Sequence, residues 1–509
     1  MILRSDGKIS AYYLQTLCLL FFPGAKFSPS EVETEKTPVV EVSMHGEGSD
    51  EVSSKVTIRI GECVCSASAK CHREEGLSVV SLDKIAVGRA FLAAGKKFFG
   101  YVPPWGILTG VRPSKMATEY LIAGNGIRNT RKILHDEFFV IPKKAEIATA
   151  VAVNELKLLR HFDAKQCSVY ISIPFCPSRC AYCSFVSFTS PRLLSLIDDY
   201  LRELYIDIEN IFSIIRDTGL TVSTVYIGGG TPTTLSAGQL NDLLECISRN
   251  VEIPSLKELT LEAGRPDTIT AEKLAVAAKW GVTRISVNPQ TLNNEVLEKI
   301  GRRHTVEDFF RAYELAEKSG IRDINVDLIA GLPGDNFDSF SMSVDSIIAL
   351  EPQNITVHTF CVKKSADILR RDEKVYSLSD SDAAKCVDYT QIKTKLAGYV
   401  PYYMYRQKNT VGNLENVGFA KSGHLGLYNI FMMEEVQSIF AVGAGGVTKL
   451  LEYHALKDGG RNIKRIFSPK YPYEYLRDAK KIREGDPEAG IESLRDRILN
   501  FYRKDHGSI

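Results

Sequence analysis

Between residues 166 and 360, short β-branched or apolar runs alternate with helical stretches, and no other feature limits the fold of this chain so strongly. The strand segments are 168–173, 222–227, 258–262, 284–288, 323–329 and 354–360. The helical stretches are 193–215, 237–249, 271–279, 293–300, 306–319 and 338–350. Strands separated by crossover helices predict a parallel sheet covered by helices. Six units are too few for a closed eight-fold barrel. The expected fold is therefore α/β, an open partial (β/α)6 barrel of TIM type, with function gathered at the carboxyl ends of its strands.

A chain of 509 residues suits two or three domains. Residues 1–160 read as an N-terminal α+β extension, 161–365 as the barrel, and 366–509 as a C-terminal α+β and helical cap. In the extension, the uncharged stretch 11–22 follows Arg4 and Lys8 and superficially resembles a secretion signal. Gln15 and two tyrosines interrupt it, so a buried helix ended by Pro23-Gly24 is expected. Segments 39–44 and 55–60 read as strands, and the polar stretch 45–54 as a loop between them. Cys63, Cys65 and Cys71 invite a second metal site, but Cys63 and Cys65 alternate as the small apolar residues of a strand do. After residue 365 the strand–helix rhythm stops. There 379–396 reads as a helix, 399–407 as a tyrosine-rich edge strand and Ala441-Val-Gly-Ala-Gly-Gly446 as a flexible backbone element able to pack close to the sheet or a ligand. From Lys464 onward the chain reads as a charged, helical, solvated cap.

The net charge of +1 gives no global attraction to nucleic acid or to an anionic membrane, and no segment approaches spanning length. No nucleic-acid partner and no stable membrane insertion are expected. Any anionic substrate must find its cations locally.

Chemistry-bearing residues fall at the strand ends. Directly after the first strand, Cys176, Cys180 and Cys183 place three thiols in one short loop. Thiolates are the soft ligands that iron–sulfur clusters require, and three of them leave one iron of a cubane open to a substrate or cofactor. A zinc site would need a fourth ligand, and no His or Cys follows closely; buried unliganded cysteines are the other reading. Gly228-Gly-Gly-Thr-Pro-Thr233 follows the second strand and allows backbone to approach a ligand without an intervening Cβ. Glu262 closes the third strand, Gln290 follows the fourth, Asp327 and Ile329 close the fifth, and His358 and Cys361 stand at the sixth. Polar residues from several strands on one rim form the constellation expected of a cofactor pocket. Eleven cysteines in so long a chain do not resemble a disulfide scaffold, and a thiolate cluster needs a reducing compartment, so a cytoplasmic location is expected.

The spacing C-x3-C-x2-C, with Tyr182 before the last cysteine, resembles the signature of the radical S-adenosylmethionine (SAM) superfamily. Together with Tyr170, the Gly228–Thr233 loop and Asn325-Val-Asp-Leu-Ile-Ala-Gly-Leu-Pro333, it resembles the oxygen-independent coproporphyrinogen III oxidase family. Pro104-Trp-Gly-Ile-Leu-Thr-Gly-Val-Arg-Pro113 and Met404-Tyr-Arg-Gln-Lys-Asn-Thr-Val-Gly-Asn-Leu-Glu-Asn416 look like the longer HemZ-type branch. The resemblance implies a [4Fe-4S] cluster on Cys176, Cys180 and Cys183, with SAM on the open iron. It further implies that Tyr170 lies beside the SAM adenine or the cluster and that Gly229, Gly230 and Thr231 receive the methionine amino group. Glu262 resembles the acidic residue that holds SAM, Gln290 and Arg302 its polar ribose and carboxylate contacts, and Asp327 with Ile329 the far side of the nucleoside; Cys361 is grouped with these cofactor contacts. The chemistry agrees, since an ammonium and ribose hydroxyls want acceptors and a carboxylate wants a guanidinium. The family's biosynthetic enzymes commonly carry a further cysteine where this chain has Phe185, a residue shared with haem-handling relatives.

Three functions follow from this resemblance. One is oxidative decarboxylation of coproporphyrinogen III to protoporphyrinogen IX in haem biosynthesis, with a flavodoxin or ferredoxin as electron donor. The second is haem binding or delivery on the same fold, with His358, Cys361 or His424 as candidate axial ligands. The third is a radical SAM methyltransferase acting on a tetrapyrrole. For the propionates of a tetrapyrrole, Arg179, Lys363 and Lys364 are the candidate cations, with Arg406 a further one.

Overall fold

A computed structural model of the chain describes all residues except 7, 29–31, 73–80, 161–162, 164, 184–186, 362–381, 408–409, 453–461, 488–489 and 507–509. Lys363, Lys364 and Phe185 therefore lie outside the described residues.

Four strands, β1 (Ile2–Asp6), β2 (Val39–His45), β3 (Glu51–Ile60) and β4 (Cys63–His72), form a sheet in sequential order. Their alternating burial turns one face toward the helices Ala11–Phe21 and Leu82–Phe99. The stretch 11–22 is thus the buried helix expected, with Leu14, Leu17 and Cys18 fully enclosed. β3 begins at Glu51, inside the stretch read as a loop, because Glu51–Ser54 pair with Ala69–His72 of β4. Along β4, Cys63 is exposed and Cys71 buried beside Arg89, whose Nη1 lies 3.6 Å from its sulfur.

The second sheet carries the expected parallel core. Strands β5 (Gln166–Ile173), β6 (Thr221–Gly229), β7 (Glu258–Glu262), β8 (Arg284–Ser286), β9 (Asp323–Ala330) and β10 (Asn354–Thr359) lie side by side in chain order, each parallel to the last. Helices Ile197–Thr218, Ala237–Asn250, Ala271–Lys279, Val306–Lys318 and Phe337–Ala349 connect them. The core strands are buried along most of their length, as in a sheet covered on both faces.

The sheet does not close on itself. Beyond β10 it continues antiparallel through β12 (Glu415–Ala420) to the edge strand β11 (Val400–Arg406). Beyond β5 it continues through β13 (Ser438–Val442), which runs parallel to β5, then β14 (Val447–Leu451) and β15 (Ile463–Phe467). The tyrosine-rich edge strand stands where it was expected. The Ala441–Gly446 stretch is half strand: Ser438–Val442 is an entirely buried apolar run, and the glycines turn the chain back. A Cβ on Gly443 would meet the Tyr200 hydroxyl at 2.5 Å and the Ser172 carbonyl at 2.7 Å, so this turn does pack close to the sheet. The region from Lys464 opens with strand β15 before its helices Pro472–Glu484 and Leu494–His506, so it is only partly the helical cap anticipated.

The N-terminal extension grips these added strands. Trp105 Nε1 donates to Glu415 Oε2 (2.9 Å), Lys144 Nζ reaches Glu415 Oε1 (2.7 Å), and the Arg406 N–H donates to the Val111 carbonyl (2.7 Å).

Candidate active site

Side chains at the carboxyl ends of the barrel strands surround a cavity of about 520 Å³. The loop after β5 closes on itself, with the Cys176 N–H donating to the Phe188 carbonyl at 3.1 Å. The Ala181 N–H donates to the Ile300 carbonyl at 2.9 Å and pins the loop against the chain following β8. Cys176, Cys180 and Cys183 are free thiols and all line the cavity. Burial pushes the Cys176 thiol up to about 11, while the Thr231 hydroxyl, 3.2 Å from its sulfur, pulls it back.

The glycine loop after β6 meets this one. The Gly230 N–H donates to the Ile173 carbonyl and the Thr231 N–H to the Phe175 carbonyl, both at 2.7 Å. A Cβ on Gly230 would stand 2.5 Å from the Phe175 oxygen. The close approach that Gly230 serves is thus to the root of the cysteine loop. Gly229, at φ 111°, Gly230 and Thr231 all line the cavity.

Glu262 accepts a hydrogen bond from the Tyr226 hydroxyl. Burial pushes its carboxyl up to about 7, against the pull of that hydrogen bond. Asp327 accepts from Asn288 Nδ2 (2.8 Å) and Asn325 Nδ2 (2.7 Å), and His358 Nε2 lies 3.6 Å away. His358 Nδ1 in turn meets the Tyr405 hydroxyl at 3.2 Å. Gln290 adopts φ 71°, unusual for a side chain with a Cβ, because its N–H donates to the Asp327 carbonyl while its carbonyl accepts from Ile329. Arg302 donates to the Asn288 carbonyl at 2.6 Å and the Gly264 carbonyl at 3.2 Å. Among the described residues, Gln290 Oε1 and Arg302 Nε are buried here without a hydrogen-bond partner, two polar atoms able to meet a ligand.

All ten residues expected to contact cofactor, Tyr170, Gly229, Gly230, Thr231, Glu262, Gln290, Arg302, Asp327, Ile329 and Cys361, line this one cavity with the three cysteines. Two further candidates turn to other partners. His424 bonds Asp323 through its Nδ1 and is not among the residues lining the cavity. Arg406 turns its guanidinium to the Leu108 carbonyl and over the Trp105 ring. Arg179 is exposed on the cysteine loop and is not among the residues lining the cavity.

The structure adds residues that strand-end reasoning passed over. Arg265, in the loop after β7, bonds the cysteine loop. Tyr170, Tyr226 and Tyr428 stack with ring centroids 4.4–6.3 Å apart, Tyr428 coming from the helix Leu427–Glu434. Glu258 holds that helix by accepting from the N–H groups of Leu427 (2.8 Å) and Tyr428 (3.2 Å). Tyr402, Tyr403 and Tyr405 complete the wall from β11. Arg265 left a trace in the sequence as a lone cation three positions past a strand-end carboxylate, and Tyr402, Tyr403 and Tyr405 stand in the tyrosine-rich stretch 399–407.

The donor set suits an iron–sulfur cluster. Among the described residues no three His, Cys, Asp or Glu side chains converge as one small ion requires, at Cys63, Cys65 and Cys71 included. A cubane takes each thiolate on a different iron, so its three sulfurs need to share a loop and a cavity wall and not a single point.

Residues 170–347 match the family model of the radical SAM superfamily. The chain is 37% identical over 383 residues to the oxygen-independent coproporphyrinogen-III oxidase-like protein HemZ of Bacillus subtilis (strain 168), covering 74% of this chain and 75% of that one. It is 32% identical over 281 residues to the heme chaperone HemW of the same organism, covering 55% and 69%. Among solved structures it is similar to the coproporphyrinogen III oxidase HemN of Escherichia coli, at 20% identity and a TM-score of 0.49, covering 64% and 72%.

Proposed function

The chain belongs to the radical SAM superfamily and, within it, to the HemZ-type branch of the oxygen-independent coproporphyrinogen III oxidase family; from that premise we propose that it decarboxylates coproporphyrinogen III to protoporphyrinogen IX without oxygen. A [4Fe-4S] cluster and SAM are the cofactors of the superfamily. When bound, they supply one-electron chemistry able to take a hydrogen atom from an unactivated carbon. Cys176, Cys180 and Cys183 would hold the cluster. Thr231 and the backbone of Gly229 and Gly230 would receive the methionine end of SAM, Arg302 its carboxylate, and Glu262, Gln290 and Asp327 its ammonium and hydroxyl groups. Tyr170, Ile329 and Cys361 would complete its walls.

The observation that carries this reading is convergence: thiols, glycine loop, carboxylates and Gln290 come from successive strand ends into one cavity. The tetrapyrrole would occupy the remainder, against Tyr402, Tyr403, Tyr405, Asn416 and Met432. These walls exclude water from the reacting carbon. Arg265, Arg284 and Arg302, the arginines among the described cavity-lining residues, bond protein groups. The cations proposed for the propionates are Arg179 on the cysteine loop and, by sequence, Lys363 and Lys364. The compartment proposed is the cytoplasm, since the cluster needs reduction, with a flavodoxin or ferredoxin as donor; no described helix is long and apolar enough to cross a membrane.

The test is anaerobic reconstitution with iron and sulfide, followed by SAM cleavage in the presence of coproporphyrinogen III and chromatography of the oxidised porphyrins. Alanine at Cys176, Cys180 or Cys183 abolishes the cluster, whereas alanine at Cys63, Cys65 or Cys71 leaves it. A second reading, haem delivery, is favoured by the kinship with HemW and by His358 in the cavity wall. It prevails if the chain binds haem stoichiometrically through His358 and forms no vinyl product with any electron donor.

A further inference from the structure

Arg265 is 3% exposed, yet no substrate or cofactor role above uses it. Its guanidinium faces the cysteine loop. Nη1 lies 3.5 Å from Cys180 Sγ and 3.3 Å from the Ser178 carbonyl, and Nη2 donates to Ser178 Oγ at 2.7 Å. On the other side, Nε meets Asp267 Oδ1 at 3.2 Å and Nη2 meets Oδ2 at 3.5 Å. The backbone is equally fixed, since the Arg265 carbonyl accepts from the Thr268 N–H (2.9 Å) and hydroxyl (2.7 Å). Thr268 Oγ1 in turn meets Thr233 Oγ1 of the glycine loop at 2.6 Å. A buried cation is thus held at one cysteine sulfur, with a carboxylate behind it that is 23% exposed.

We propose that Arg265 is a positioning residue that sets how readily the cluster on Cys180 accepts an electron, and that Asp267 opposes it. Hydrogen bonds and positive charge at a ligating sulfur stabilise the more electron-rich state of the cluster, so they raise its reduction potential. The reaction concerned is the addition of one electron to the 2+ cluster, giving 1+, with the reductant oxidised by one electron. The inference rests on the assignment of Cys180 as a ligand.

The experiment is an anaerobic potentiometric titration of the reconstituted full chain with a low-potential reductant such as titanium(III) citrate. Electron paramagnetic resonance of the reduced cluster gives the midpoint, and iron per chain is counted in parallel. Arg265→Met holds its iron and is about tenfold harder to reduce, a shift of about 59 mV to more negative potential for one electron. Arg265→Lys, which keeps the charge, recovers most of that shift. Asp267→Asn moves the midpoint the other way. Should Arg265→Met lose its iron, the opposite displacements of Arg265→Lys and Asp267→Asn still decide the matter. An unmoved midpoint in Asp267→Asn, or in an iron-replete Arg265→Met, overturns the proposal. A wild-type chain that takes up no cluster, or a Cys180→Ala chain that keeps a complete one, refutes the ligand assignment instead.

Discussion

Replacing Lys144 by methionine removes one partner of an ion pair that joins the N-terminal extension to the wall of the cavity. The Lys144 side chain is 2% exposed and that of Glu415 fully buried, with 2.7 Å between Nζ and Oε1. Burial opposes the lysine charge, but Glu415 and then Asp388 more than offset it and raise its pKa. Breaking a buried pair on one side costs about 3–5 kcal/mol, because the remaining charge is left desolvated. Glu415 would keep two neutral donors, Trp105 Nε1 at 2.9 Å and Gln391 Nε2 at 2.8 Å, and Asp388 is exposed enough to rehydrate. The cost therefore falls near the lower bound, about 3 kcal/mol. With an unfolding entropy of roughly 2.1 cal/mol/K per residue, a chain of this length loses about 3 °C in Tm. Circular dichroism gives the midpoint. In a Trp280→Phe background Trp105 is the sole indole and reports the Glu415 site directly. In the double variant Lys144→Met, Glu415→Gln the buried charge is gone, so its loss is smaller than that of Lys144→Met alone. A single variant within 1 °C of wild type, or a double variant whose loss equals the sum of the two single ones, refutes the reasoning. The consequence for function is local, since the Glu415 carbonyl accepts from Thr359 Oγ1 (2.7 Å) and Asn416 Oδ1 from the Thr359 N–H (2.9 Å), beside His358.

Glu262 titrates near 7 in the folded chain against 4.5 for an ordinary glutamate. Its burial therefore costs stability above about pH 7, and the cost vanishes below about 4.5. SAM affinity, measured by anaerobic calorimetry, rises as the pH passes upward through 7; Glu262→Gln flattens the profile, and Tyr226→Phe, which removes the donor to the carboxylate, moves the inflection higher. A wild-type profile without an inflection near neutrality refutes the role of Glu262. Gly230→Ala forces a Cβ against the Phe175 carbonyl and displaces the root of the cysteine loop, so bound iron per chain drops at least twofold. Gly110→Ala, which meets no heavy atom within 4 Å, serves as the control and keeps its iron.

The barrel was legible because each of its units is local. Period-two and period-3.6 patterns within some thirty residues define a strand and its covering helix, and parallel βα units can be assembled only in a few ways. Residues at the strand ends then had to share one rim, which is why Glu262, Gln290, Asp327 and the cysteine loop meet as the sequence alone led one to expect. The continuation of the sheet was not legible. β13 lies beside β5 although some 270 residues separate Ser438 from Cys167, and nothing in the apolar run Ser438–Val442 names its partner. The same holds for side chains whose direction depends on distant groups. Arg406 and His424 look like pocket candidates by composition, but the Leu108 carbonyl and Asp323 claim them. Arg265 looks like a surface cation until Ser178 and Cys180 appear beside it. The chemistry that each strand end carries is written in local pattern and residue type. Which charges face the cysteines, which are spent on structure, and how the two terminal regions wall the cavity were decided only by tertiary structure, because the hydrogen bonds and ion pairs that orient those side chains join residues far apart in the chain.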